Sequence, residues 1–103
     1  MPYNLTWKVE AEEEFAQLNK SIKNHAFTQF KKLIKSPQLG LPLGNKAGLD
    51  LTGYKKLYFF KKKYRIVYEL DETNKEVTIF AIGEREGMKV YYQLAKRLES
   101  HPK

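Results

Sequence analysis

The spacing of apolar side chains divides the first part of the chain into a short strand and two helices. Apolar and polar residues alternate through Leu5, Trp7 and Val9, which predicts a half-buried strand. Apolar residues then recur at helical spacing in two stripes, Ala11, Phe15, Leu18 and Ile22, followed by Ala26, Phe27, Phe30, Leu33 and Ile34. Pro37 cannot continue a helix. We therefore predict a helical hairpin with a break around residues 19–24.

The second part of the chain predicts a sheet. Residues 36–53 are rich in glycine and proline and indicate an ordered surface loop. Three strands are expected after it, GYKKLYFF, KYRIVYEL and EVTIFAIG, joined by short links at 61–63 and 71–75. The expected fold is α+β, with two N-terminal helices on a mainly antiparallel four-stranded sheet that has the first strand at an edge. A short C-terminal helix follows, with Tyr91, Leu94, Ala95 and Leu98 on its apolar face, and residues 99–103 form a frayed tail.

Length and composition indicate one globular domain spanning residues 1–103. Of the 103 residues, 42% are hydrophobic and 14% are aromatic, which is enough for a single modest core. The chain contains no cysteine, which fits a reducing compartment. The N-terminal sequence lacks the pattern of a signal peptide, and no apolar run is long enough to cross a bilayer. We therefore predict a cytoplasmic protein.

The positive charge of the chain is concentrated in one segment. The formal net charge is +7. Residues 54–65, YKKLYFFKKKYR, contain basic residues interleaved with aromatic ones and no acidic residue. Such a segment is typical of a surface that binds a polyanion, whether nucleic acid, an acidic protein or an anionic membrane. A solvated lysine-rich face is the simpler alternative, and the interleaved aromatic residues favour binding.

The residue types present limit the chemistry. The chain has no phosphate-binding glycine loop, no HExxH pair and no calcium-binding loop. Its two histidines, His25 and His101, are far apart in sequence, so we predict neither a metal site nor a cofactor. Lysine, arginine and tyrosine remain. These side chains can promote RNA cleavage, because the ribose 2′-hydroxyl supplies the nucleophile and cations can stabilise the charged transition state.

Four segments of the sequence resemble the RelE/ParE superfamily, the toxins of bacterial toxin–antitoxin pairs. The segments are LTGYKKLYF, KYRIVYEL, VTIFAIGERE and VYYQLAKRL, in the order found in that family. The resemblance implies two helices packed on one face of a curved antiparallel sheet and a short C-terminal helix. It also implies a cognate antitoxin as partner. RelE-like members cleave messenger RNA in the ribosomal decoding site, so mRNA and the ribosome are implied as further partners, with no membrane and no metal.

The resemblance also implies roles for individual residues. Arg65 matches an arginine that grips phosphate, Arg85 one that stabilises the transition state, and Tyr91 a tyrosine that assists proton transfer or stacks a base. Lys56 is the better match to a catalytic lysine because it shares a pleat face with Tyr58. Further contacts to the RNA backbone are expected from Lys55, Lys61, Lys62 and Lys63. The chain departs from the family pattern at Glu84 and Gly87, where RelE-like members often carry basic residues.

Other interpretations fit the same residues. Arg65 alternates with apolar residues on a central strand, where a buried or half-buried arginine is costly unless it is paired, and Glu69 on the same face can pair with it. Arg85 can cap a turn, and Tyr91 can be a core residue, in which case Tyr92 takes its place. At the level of the whole protein, the ParE branch of the superfamily inhibits DNA gyrase without cutting RNA. A toxin fold that binds RNA without cleaving it is the third possibility.

Overall fold

The computed structural model describes residues 2–46 and 49–84, which form two helices and one mixed sheet. The elements in chain order are β1 (Asn4–Trp7), α1 (Val9–Ala16), α2 (Lys20–Lys35), a 3-10 turn (Pro37–Leu39), β2 (Leu41–Lys46), β3 (Leu49–Phe59), β4 (Tyr64–Asp71) and β5 (Glu76–Glu84). The α+β class and the two N-terminal helices are confirmed. The predicted C-terminal helix and the tail lie outside the described residues.

The sheet has five strands in the order β1-β5-β4-β3-β2, so the prediction of four strands is wrong. Strand β1 lies at one edge and runs parallel to β5, and the other neighbouring strands are antiparallel. The additional strand, β2, lies within residues 36–53, which were predicted to be a loop. Pro42 is tolerated there because β2 is an edge strand, and the pairing is irregular between Pro42 and Gly44, where Gly44 has a φ of 59°.

The two helices are separated by a shorter break than the sequence predicted. The break covers residues 17–19, whereas residues 19–24 were expected. Asn19 is the N-cap of α2, and its side-chain Oδ1 accepts a hydrogen bond from the backbone N–H of Ile22 at 2.9 Å. At its other end α2 stops at Ser36, directly before Pro37, as predicted.

The core lies between the helices and one face of the sheet. Ala26, Leu33, Ile66 and Ile79 are fully buried there. Trp7 is half-buried and packs against this core, with its ring centroid 5.1 Å from that of Phe30 in an edge-to-face arrangement; the aromatic rings of α1 and α2 surround it. Trp7 thus packs on the core as expected for a residue of the half-buried strand that the sequence predicted. The opposite face of the sheet carries no helix from the described part of the chain.

Tyr68 joins the sheet to the segment that follows α2. Its side chain is fully buried, and its hydroxyl donates a hydrogen bond to the carbonyl oxygen of Pro37 and accepts one from the N–H of Gly40, both at 2.8 Å. Gly40 has no room for a side chain, because a Cβ there would lie 2.6 Å from the Tyr68 hydroxyl and 2.8 Å from the Lys56 carbonyl oxygen. These contacts fix where the chain leaves the helices and enters β2, beside the backbone of β3.

The buried tyrosines predict a loss of stability at alkaline pH. Burial raises the pKa of both Tyr54 and Tyr68 above the ordinary value of 10.0, and for Tyr68 the hydrogen bond from Gly40 partly opposes this rise. A group whose pKa is raised by folding stabilises the folded state fully below its unfolded pKa. This stabilisation is lost as pH rises through the folded pKa. We expect the urea midpoint to fall above about pH 10, and to fall less steeply in Tyr68→Phe. An equal slope in the variant would contradict this.

Candidate nucleic-acid interface

The face of the sheet opposite the helices brings together two cations and a phenol. Ile66 and Tyr68 of β4 point into the core. Because side chains alternate along a strand, Arg65, which directly precedes Ile66, points to the opposite face of the sheet. Tyr58 of β3 is the cross-strand partner of Arg65, and Lys56 lies two residues before Tyr58 on the same face. The predicted shared face of Lys56 and Tyr58 is therefore confirmed, and Arg65 joins them.

The ring of Tyr58 contacts both charged groups. The Lys56 ammonium nitrogen is 5.4 Å from the centroid of the Tyr58 ring, and the Arg65 guanidinium carbon is 5.7 Å from it. Both distances are typical of cation–π contacts, which fix the positions of otherwise mobile cations. These contacts place two positive charges on this part of the sheet, and their combined field favours an anion such as a phosphodiester. We call these three residues the Lys56–Tyr58–Arg65 group.

Arg65 is much less accessible than the other two members of this group. It is 2% exposed, whereas Lys56 and Tyr58 are half-buried. A buried charge is poorly screened, so its field acts more strongly on a nearby anion than that of a surface charge. Direct contact between the guanidinium and a phosphate nevertheless requires the groups over it to move. A buried or half-buried Arg65 was one of the interpretations of the sequence, and the structure agrees with it.

The end of the open face nearest β1 is closed by aromatic packing. The rings of Tyr54 and Phe80 are in contact edge to face, with centroids 5.0 Å apart, and both residues are buried. The ammonium nitrogen of Lys8 lies 5.2 Å from the Phe80 ring centroid. Burial raises the pKa of the Tyr54 phenol above its ordinary value. This part of the face therefore carries buried aromatic rings.

Lys55 lies on the other face of β3. Its cross-strand partner is Tyr68, whose side chain points into the core, so Lys55 shares the face of the helices. It lines a cleft that also contains the acidic residues Asp71 and Glu72. The structure therefore separates Lys55 from Lys56, and the role of Lys55 in RNA binding stays a prediction.

The link between β3 and β4 exposes three lysines on an unusual backbone. Lys61, Lys62 and Lys63 are exposed. The φ angles of Phe60, Lys61 and Lys62 are 50°, 57° and 62°, all in the left-handed region that side-chain-bearing residues rarely adopt. The turn is closed by a hydrogen bond from the Lys63 N–H to the Phe60 carbonyl oxygen at 3.0 Å. A strained turn of this kind persists only where surrounding contacts hold it.

Two of the predicted catalytic residues, Arg85 and Tyr91, lie outside the described residues. Their assignment stays a prediction. The sequence predicted that Tyr58 shares a face with Lys56, but it indicated no role for Tyr58. Its spacing of two from Lys56 and its position opposite Arg65 on the neighbouring strand are the signals that identify it.

Two further properties concern the whole of the described chain. Within residues 2–46 and 49–84, no three histidine, aspartate or glutamate side chains are grouped so that they could hold a metal ion. Neither of the helices in this part of the chain is long and apolar enough to cross a membrane.

Comparison with known proteins gives a family and a fold. Residues 5–88 match the model of the ParE toxin of the type II toxin–antitoxin system parDE. No curated protein matches the sequence significantly. Among solved structures, a double arginine-to-alanine variant of the E. coli toxin RelE in the free state is similar with a TM-score of 0.73. The two chains are 21% identical, and the similarity covers 95% of this chain and 99% of that one.

Two other solved structures share the fold. The RelBE2 toxin–antitoxin complex from Mycobacterium tuberculosis gives a TM-score of 0.68 at 24% identity, covering 82% of this chain and 100% of that one. The YoeB/ParE toxin from Agrobacterium tumefaciens gives 0.63 at 13% identity, covering 81% and 99%. At these identities the structures show a common fold. Together with the family match over most of its length, they show that this chain belongs to the ParE toxin family within the RelE/ParE superfamily of type II toxin–antitoxin systems.

Proposed function

We propose that this toxin is a metal-independent endoribonuclease that cleaves messenger RNA in the ribosomal A site and so inhibits translation in the cytoplasm. The observation that carries the proposal is the Lys56–Tyr58–Arg65 group, in which two cations from neighbouring strands lie beside one phenol ring on the face of the sheet opposite the helices. Cations fixed on one face of a sheet can stabilise the negative charge that a phosphodiester gains in the transition state of cleavage.

The proposed reaction uses only groups of the RNA and of the protein. The ribose 2′-oxygen forms a bond to phosphorus while the bond from phosphorus to the 5′-oxygen breaks. The 2′-hydroxyl gives up its proton to a base, and the leaving 5′-oxygen receives one. The products are a 2′,3′-cyclic phosphate, or the phosphate formed when water opens it, and a 5′-hydroxyl. Arg65 and Lys56 orient and neutralise the phosphate, Arg85 stabilises the transition state, and Tyr91 assists proton transfer.

The second candidate function is inhibition of DNA gyrase without RNA cleavage. Two observations favour it. The family model that matches the chain is that of a ParE toxin, and Arg65 is enclosed rather than exposed to an incoming phosphate. If Arg65 only supports the sheet, the remaining surface lysines bind partners by charge alone. This candidate predicts a functional surface that tolerates loss of the Lys56–Tyr58–Arg65 group.

A cognate antitoxin is the expected protein partner under both candidates. The similar structure from Mycobacterium tuberculosis is a toxin–antitoxin complex. This chain has a net charge of +7, so a segment that neutralises it should be acidic, and an amphipathic segment can cover the sheet at the same time. Binding over the Lys56–Tyr58–Arg65 group would block access of RNA.

Controlled expression in a bacterium separates the two candidates. The nuclease predicts that translation stops first and that new transcript 5′ ends accumulate within coding regions, with no early DNA-damage response. A gyrase inhibitor predicts a DNA-damage response before any fall in mRNA. The matched variant is Lys56→Gln, which removes one cation from a half-buried position and should suppress the new 5′ ends. A damage response from the unaltered toxin with intact transcripts would overturn the nuclease proposal.

A further inference from the structure

A cavity at the end of the sheet is not part of the Lys56–Tyr58–Arg65 group. Its volume is about 630 Å³, and it is lined by Phe60, Lys62, Lys63, Tyr64 and Glu84. We call this cavity the end notch. It lies where β4 begins and where the described part of β5 ends. Its lining combines aromatic rings, two cations and one carboxylate, and its volume is within the range of small-molecule sites.

The aromatic side and the acidic side of the end notch are adjacent. Tyr64 and Glu84 are directly paired across β4 and β5, so their side chains leave the sheet on the same face at neighbouring positions. The ring centroids of Phe60 and Tyr64 are 6.1 Å apart and the rings are tilted by 58°. Both aromatic residues are half-buried, while Glu84 is exposed. A flat group that stacks on Tyr64 therefore has its edge beside the Glu84 carboxylate.

The cationic side of the end notch is held in place by the strained turn. Phe60 has a left-handed backbone, and its ring is anchored by His25 of α2, with ring centroids 4.9 Å apart. This contact fixes the base of the turn, so Lys62 and Lys63 extend from a defined position. Strain of this kind concentrates at binding sites, where it orients groups in advance. Exposed lysines so placed can follow the phosphates on either side of a bound nucleotide.

We propose that the end notch binds one nucleotide of single-stranded RNA and prefers guanine. The base stacks on the Tyr64 ring with the tilted Phe60 ring against its side, and Lys62 and Lys63 contact the flanking phosphates. The two oxygens of the Glu84 carboxylate accept hydrogen bonds from the N1–H and the N2 amino group of guanine. Adenine and cytosine each place an acceptor nitrogen beside their amino donor, and uracil places carbonyl oxygens beside its single N–H, so only guanine presents two adjacent donors.

This inference extends the proposed function, because both require the protein to bind single-stranded RNA. The end notch and the Lys56–Tyr58–Arg65 group are nevertheless separate. Tyr64 and Arg65 are consecutive on β4, so their side chains point to opposite faces of the sheet. RNA bound in the end notch would therefore lie at one end of the sheet, at the start of β4 and on the face opposite Arg65. Binding there can be measured without any cleavage.

The test uses a labelled 2′-O-methyl octauridylate with one central guanosine, which cannot be cleaved because its 2′-oxygens are blocked. Affinity is measured by fluorescence anisotropy and compared with that for the same oligonucleotide carrying inosine, which keeps N1–H but lacks the N2 amino group. We expect guanosine to bind about tenfold more tightly, within the usual range for one well-formed base contact. Glu84→Gln should remove this difference. Glu12→Gln, with the same charge change on an exposed position of α1, should keep it.

The lysines are tested by salt dependence. Each phosphate contact to single-stranded nucleic acid contributes a slope of about 0.7 in the logarithm of affinity against the logarithm of salt concentration. The double variant Lys62→Gln/Lys63→Gln should lower the slope by about 1.4. The control Lys31→Gln/Lys35→Gln removes two exposed lysines of α2 and should leave the slope unchanged.

Equal affinity for guanosine and inosine, or a preference that Glu84→Gln leaves intact, would overturn the inference. The proposed function is judged separately, by cleavage of unmodified RNA. Guanine preference without cleavage would contradict the nuclease and leave the end notch as a binding site. Cleavage without guanine preference would do the reverse.

Discussion

Replacing Arg65 with glutamine should lower the rate of RNA cleavage about a hundredfold or more. A preorganised donor aimed at a developing negative charge is worth about 10²–10³ in rate, and the enclosed position of Arg65 keeps its charge poorly screened. Arg65→Lys keeps the charge but loses the planar donor fork, so its cleavage rate should lie between those of the unaltered protein and Arg65→Gln. The measurement is single-turnover cleavage on programmed ribosomes, with a thermal unfolding curve for each variant, because a buried arginine also supports the sheet.

Lys56 makes the same test without the risk to folding, because its side chain is half-buried. Lys56→Gln should reduce the single-turnover rate at saturating protein concentration. Lys55→Gln removes the same charge one residue away on the opposite face, so it should weaken binding a few-fold and leave the saturating rate intact. Equal effects of the two variants on the saturating rate would mean that the lysines act through net charge. The Lys56–Tyr58–Arg65 group would then have no special role.

Replacing Gly40 with alanine should destabilise the protein by about 3 kcal/mol, which corresponds to a fall in melting temperature of more than about 10 °C. A Cβ at this position meets the Tyr68 hydroxyl at 2.6 Å and the Lys56 carbonyl oxygen at 2.8 Å, and neither can retreat easily. The backbone φ of Gly40 is −74°, so space and not backbone conformation requires glycine here. Gly83→Ala is the matched control, because a Cβ there contacts nothing within 4 Å. A tolerated Gly40→Ala would contradict the packing described.

Tyr68→Phe provides a second measure of the same junction. It leaves the Pro37 carbonyl and the Gly40 N–H without their partner, at a cost of about 2 kcal/mol. It also removes the atom nearest to an alanine Cβ at position 40. The double variant should therefore be less destabilised than the sum of the two single variants. Strict additivity would show that the hydroxyl is not what excludes the side chain.

The helices and the three long antiparallel strands could be predicted because their apolar spacing is local and regular. Strand β2 could not. Its sequence, LPLGNK, contains the residues that normally indicate a loop, and it becomes a strand only by pairing with β3. An edge strand tolerates Pro42 because one side of its backbone makes no ladder hydrogen bonds. The information that defines β2 therefore lies in the partner strand and not in the segment itself.

The candidate site shows the same division. Strand alternation was sufficient to place Lys56 and Tyr58 on one face and Lys55 on the other. The alternation of Arg65 with apolar residues made its burial one interpretation of the sequence. The cavity beside Glu84 depends on which elements meet in space, so the sequence did not indicate it. The left-handed turn at Phe60 could not be predicted from the sequence either, because phenylalanine and lysine do not indicate a positive φ.

We propose that this toxin cleaves RNA with its lysine and arginine side chains and the 2′-hydroxyl of the ribose. The most direct measurement is to incubate the purified toxin with programmed ribosomes in the presence of magnesium, and with purified RNA in the presence of EDTA, and to identify the product ends. We expect 2′,3′-cyclic phosphate, or its opened form, with 5′-hydroxyl ends, and cleavage of purified RNA that EDTA does not diminish. Intact RNA under both conditions, together with loss of gyrase supercoiling activity on addition of the toxin, would contradict it.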